Sequence, residues 1–186
     1  AMIKVLYDPV SQMLLGLLGP TGDIFAYSTR LGPMAILQWK VGAQIRLNHD
    51  KVNDIALCRL RLNKNGMFLV GATSKGSLYV WRTEEDTEDD GSSGSGSDNA
   101  KSRDEDRLGC TRLVQSQAVH KDAISTIMYN DASRNIVCFV PSAGILLVDD
   151  QLTPLRTLSI EGTPFYKNRK MTPTTCVHMG RDRSLV

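Results

Sequence analysis

Residues 49–82 read HDKVNDIALCRLRLNKNGMFLVGATSKGSLYVWR. Val52, Ile55, Leu57 and Leu60 are apolar, with Asn53, Asp54, Arg59 and Arg61 between or beside them. That near-alternation predicts a strand over 52–60 with one face turned to a core. Asn63-Lys64-Asn65-Gly66 follows, and these residue types accept positive φ in a tight turn. Two more apolar runs, Met67–Thr73 and Ser77–Arg82, are separated by Ser74-Lys75-Gly76. Short strands joined by short turns read as an all-β chain.

The same order recurs on both sides of this stretch. After it, His120-Lys121-Asp122-Ala123-Ile124-Ser125-Thr126-Ile127 leads into a strand, the turn 130–134, NIVCFVPSAG and ILLVDD. His49 and His120 stand 71 residues apart, or 46 once the 25-residue segment 83–107 is set aside. That is close to the roughly 40–45 residues of one four-stranded propeller blade. Before it, Ile3–Tyr7, Met13–Leu18 and Ile24–Ser28 repeat the strand order without a leading histidine. A fourth unit begins at Thr174-Thr175-Cys176-Val177-His178-Met179 and reaches Ser184-Leu185-Val186. No stretch of 12 residues shows a 3.6-residue apolar period. The expectation is all-β: a partial β-propeller of about three four-stranded blades plus the start of a fourth. Blades occupy 1–82 and 108–186. A chain of 186 residues has room for one domain or part of a larger repetitive one.

Here the chain resembles the WD-repeat family. The pattern lies in His49…Val52-Asn53-Asp54-Ile55…Gly71…Gly76-Ser77-Leu78-Tyr79-Val80-Trp81-Arg82, where Arg82 stands in place of the family's Asp. Val148-Asp149 takes the Trp-Asp position in the next unit, which makes His49, Trp81, His120 and Asp149 the structural repeat positions. Family repeats carry an Asp before the glycine of the second hairpin. This chain has Thr21, Lys75 and Ala143 there, so the polar tetrad is incomplete. The resemblance implies blades stacked radially around a shared core. With about three blades no ring closes, which implies an excerpt of a larger WD-repeat protein.

Segment 83–107 carries ten acids, three bases and no Val, Ile, Leu, Phe, Tyr, Trp or Met. It cannot bury enough apolar surface to offset its ordering entropy and reads as a disordered insertion. Ser92, Ser93, Ser95 and Ser97 lie beside the acids as candidate phosphorylation sites. The whole chain has 22 bases and 20 acids, and without this segment 19 and 10, a net +9. An acidic loop thus accompanies a basic body.

Catalytic and metal chemistry finds no purchase in the sequence. Cys58, Cys110, Cys138 and Cys176 are far apart, whereas zinc sites and redox motifs use closely spaced pairs. Three of the four sit in apolar strand-like runs, where thiols behave as small hydrophobes, which points to a reducing compartment. His49, His120 and His178 lack ligand spacing. Asp149-Asp150 reads as a solvated pair after a strand. No nucleophile elbow, zincin or phosphate-loop motif occurs. The reading is therefore non-enzymatic, without cofactor or metal. No apolar run approaches the ~18 residues of a membrane span, so no membrane is expected.

Lys167, Arg169 and Lys170, with Arg181 and Arg183, are candidate partner-binding residues in loops beside Phe165 and Tyr166. Lys4, Arg46, Arg59, Arg61 and Lys64 add positive charge, which steers acidic partners. The run from Ser142 to Leu158, leading into 172–179, is similar to late blades of cilia- and flagella-associated WD-repeat proteins. That similarity implies a cytoplasmic protein-binding scaffold of the axoneme, a cytoskeletal component docking on tubulin, microtubules or dynein-regulatory complexes. The alternative is a subunit of an RNA-processing or ribosome-assembly complex, although few aromatics are present to stack bases.

Overall fold

The computed structural model describes residues 2–9, 12–29, 44–45, 47, 49–62, 65–82, 113–159, 178–179 and 184–185. The chain is all-β, and no helix occurs among the described residues. Strands β1 (Met2–Asp8), β2 (Met13–Leu18), β3 (Ile24–Ser28) and β4 (Gln44–Ile45) form the first sheet. The second holds β5 (Val52–Arg61), β6 (Asn65–Thr73), β7 (Ser77–Arg82) and β8 (Leu113–Ala118). The third holds β9 (Thr126–Asn130), β10 (Asn135–Val140), β11 (Gly144–Val148) and β12 (Pro154–Leu158). Each is a meander in which every strand pairs antiparallel with its neighbour in sequence, and none closes on itself. From the fourth unit, β13 (His178–Met179) pairs with β14 (Ser184–Leu185).

Two apolar cores lie between the sheets. Met13, Leu15, Leu17, Ile24 and Ala26 of the first sheet pack against Val52, Ile55, Leu69 and Trp81 of the second. On its other face the second sheet turns Ala56, Cys58, Phe68, Val70, Leu78 and Val80 to Ile127, Ile136, Cys138, Leu146 and Val148 of the third. The second sheet is therefore buried on both faces, which explains why residues 49–82 are so rich in apolar side chains. First strands sit side by side, β5 touching both β1 and β9.

Strands β2, β3 and β7 lie where the alternation predicts them. The outer strands β4, β8 and β12 have no such signature in the sequence. β12 is exposed throughout and β8 nearly so, so neither needs a dry face or an alternating pattern. The second sheet takes three strands from before the acidic segment and its fourth from after it, since β8 pairs with β7. Segment 83–107 itself, with Ser92, Ser93, Ser95 and Ser97, lies outside the described residues.

Candidate interaction surface

The registers superpose the three sheets residue by residue. In each, one face has two cross-strand rows, and in the second and third sheets that face meets the preceding sheet. The first row is Val5·Gly16·Phe25, then Ile55·Gly71·Tyr79, then Ile127·Cys138·Leu146. The second is Tyr7·Leu14·Tyr27, then Leu57·Leu69·Trp81, then Tyr129·Ile136·Val148. Trp81 and Val148 thus occupy equivalent positions. Phe25 stacks on Tyr27 with centroids 6.3 Å apart, and Tyr79 stacks on Trp81 at 6.1 Å. Gly71 leaves the space the indole fills: a Cβ there would lie 2.8 Å from Trp81 Cζ3. In the third sheet the smaller Val148 goes with Cys138 at the glycine position.

Polar groups bind the sheets together at their first strands. Asp54 Oδ1 accepts from Lys4 Nζ at 2.8 Å and from the Ile55 amide, and Oδ2 accepts from the Ile127 amide at 2.9 Å. One carboxylate thereby joins β1, β5 and β9. Asn53 Nδ2 donates to the Ile124 carbonyl, and the Tyr129 hydroxyl donates to the Arg59 carbonyl at 2.7 Å. Arg61 Nε lies 3.1 Å from Asp150 Oδ2. Lys4 and Arg61, read from sequence as charge for acidic partners, are thus paired within the chain. Arg59 is exposed, while Arg46 and Lys64 lie outside the described residues.

A second device recurs at the opposite strand end. Asp50 Oδ1 accepts from Ser74 Oγ at 2.9 Å, and Asp122 Oδ2 accepts from Ser142 Oγ at 2.7 Å. Each carboxylate stands five residues before a fully buried isoleucine, Ile55 or Ile127, and each serine lies in the second turn of its sheet. These clasps join the entry to a sheet with its β6–β7 or β10–β11 turn. A search for Asp in the second hairpin misses them, because here the hydroxyl is in the hairpin and the carboxylate is on the entry.

The four repeat positions do different work. Trp81 is 1 % exposed between the first two sheets. His49 is exposed on a turn at φ 63°. His120 stands seven residues before its isoleucine and His49 six, so the histidines are one position out of register. His120 Nδ1 accepts from the Asp122 amide at 3.0 Å and lies 4.0 Å from the Asp122 carboxylate. Asp149 accepts from the Gln151 and Thr153 amides, holding a turn that places Leu152 in the core at φ 68°. The expected solvated pair Asp149-Asp150 is instead engaged in that turn and in the Arg61 contact. Lys167, Arg169, Lys170, Arg181 and Arg183 lie outside the described residues, as does the His178 side chain.

Burial pushes the Cys58 thiol well above its ordinary value, reinforced by the neighbouring Cys138, which burial itself pushes up to about 12. Burial, then the Asp131 charge, raises the Tyr129 hydroxyl. Among the described residues no three His, Cys, Asp or Glu side chains gather to hold a metal, and no helix is long and apolar enough to cross a membrane. No protein-family description matches the sequence, and no curated protein matches it.

Proposed function

We propose that the chain is a non-enzymatic protein-interaction scaffold whose sheets are successive blades of a partial WD-like propeller. One observation carries this reading: three equal meanders stack face to face with their first strands together, joined by Asp54. Stacking of this kind leaves turns and edges of several sheets on a rigid surface, which suits the docking of several proteins. The similarity of the stretch after Ser142 to axonemal WD-repeat proteins, and the basic balance outside 83–107, favour a structural role in the cilium or flagellum, on microtubules or a dynein-regulatory complex.

Localisation of the tagged protein in a flagellated cell, with detergent and salt extraction, tests the role. Axonemal signal that resists detergent supports it. Nuclear or nucleolar signal released by nuclease overturns it and makes the RNA-assembly reading the leading one. RNA binding that falls steeply with added salt is the biochemical counterpart of that outcome.

A further inference from the structure

Strands β8 and β12 end their sheets, so among the described residues each offers one edge with no neighbouring strand. Such an edge is a row of unused amides and carbonyls on which another chain can pair. The two edges are interrupted at the same place. In the second sheet Val80 pairs with Gln115 and Trp81 with Leu113, which leaves Val114 over. In the third, Leu147 pairs with Arg156 and Val148 with Pro154, which leaves Leu155 over. Trp81 and Val148 occupy equivalent positions, so the two extra residues are equivalent as well. Both are exposed, Val114 at 41 % and Leu155 at 53 %, so filling a core does not account for either.

We infer that these matched bulges are a guard built into the outer edges of the stack, which keeps them from pairing with a strand of another chain. An extra residue bends its strand and raises the local twist, so an incoming strand loses register there. The two edges differ in what else protects them. β12 also carries Pro154, which has no amide proton to offer, and the charged Arg156. β8 reads LVQSQA and has neither proline nor charge, so its bulge works alone. The inference rests on strand order and register and stands apart from the axonemal reading.

Deleting Val114 from the full chain sets Leu113 next to Gln115 and makes the β7–β8 ladder regular. Sedimentation velocity should then show self-association beginning at a concentration about tenfold or more below that of the native chain, a few added cross-strand pairs being enough. Deleting Leu155 should do less, because Pro154 and Arg156 remain. Val114→Ser keeps the extra residue and should behave as the native chain does. Ser116→Lys added to the Val114 deletion should restore native behaviour, since a charge on the edge takes over from the bulge. The lysine also separates edge pairing from misfolding, which it would not reverse. A Val114 deletion that associates no more readily than the native chain, a Leu155 deletion that associates as readily as it does, or association that Ser116→Lys leaves in place would each overturn the inference.

Discussion

Gly71 and Trp81 show how one position sets another. The indole lies where a Cβ on residue 71 would have to go, and Trp81 is too buried to move aside. Gly71→Ala should therefore destabilise the chain by roughly 1–3 kcal/mol through overpacking. Trp81→Val opens a cavity, at a cost of about 3 kcal/mol or more. Combined, the two changes recreate the small-residue pairing of the third sheet, and their joint cost in urea unfolding should be smaller than the sum. Additive costs would show that the contact does not couple the sites.

The thiols of Cys58 and Cys138 lie in the core between the second and third sheets. With Cys110 and Cys176 replaced by serine, a thiol reagent at pH 8 should find none reactive in the native chain and both after unfolding. The unfolded Cys138 ionises near its ordinary value of 9, while the folded one resists ionisation up to about 12. Its contribution to stability is thus complete below pH 9 and is lost as pH rises from there toward 12. The stability advantage of the native sequence over Cys138→Ala should shrink across that window in urea titrations. An advantage constant from pH 8 to 11 would show that the thiol is not desolvated.

At the scale of elements, the turns are as constrained as the strands. Gly76 has φ +75°, and a Cβ there would lie 2.1 Å from the His120 carbonyl oxygen and 2.6 Å from that of Asp122. Its own carbonyl accepts from the Val119 and His120 amides. Backbone cannot yield as a flexible side chain does, so Gly76→Ala should cost about 3 kcal/mol or more, from backbone strain with the clash added. A change of less than about 0.5 kcal/mol, typical of an unconstrained surface position, would show that this loop is not held against the turn. Asp54 is the polar counterpart. Asp54→Ala strands the buried Ile127 amide and removes the partner of Lys4, a loss of about 1–3 kcal/mol from the unpaired donor alone. Lys4→Met should cost less, because Asp54 keeps both backbone donors. Equal costs would place the energy in the Lys4 ion pair instead.

Among the described residues, the second sheet is held from both faces, while each neighbour has one face in a core between sheets. Hydrogen exchange should rank them accordingly. Amides of β5–β7 should open only with global unfolding, while those of the exposed strands β8 and β12 exchange through local opening. Uniform protection across all three sheets would mean that the stack unfolds as one cooperative unit with no weaker flank.

Much of this was legible without coordinates. Alternation in 52–60 and the runs at 13–18, 24–28 and 77–82 place inner and middle strands, because a half-buried strand must write its dry face into the sequence. The recurrence of those runs shows that the units are alike. Outer strands wrote nothing, since no face of β12 is dry. The clasps Asp50–Ser74 and Asp122–Ser142 and the three-way contact at Asp54 were equally silent. Asp54 reads as one more polar residue in an alternating strand until β1 and β9 are set beside it, 50 and 73 residues away. Local sequence determined which segments extend and where they turn, because pleat and turn chemistry act between near neighbours. Tertiary structure alone decided which sheet faces meet and which charges are paired inside the chain. Those outcomes depend on groups brought together from distant parts of the chain.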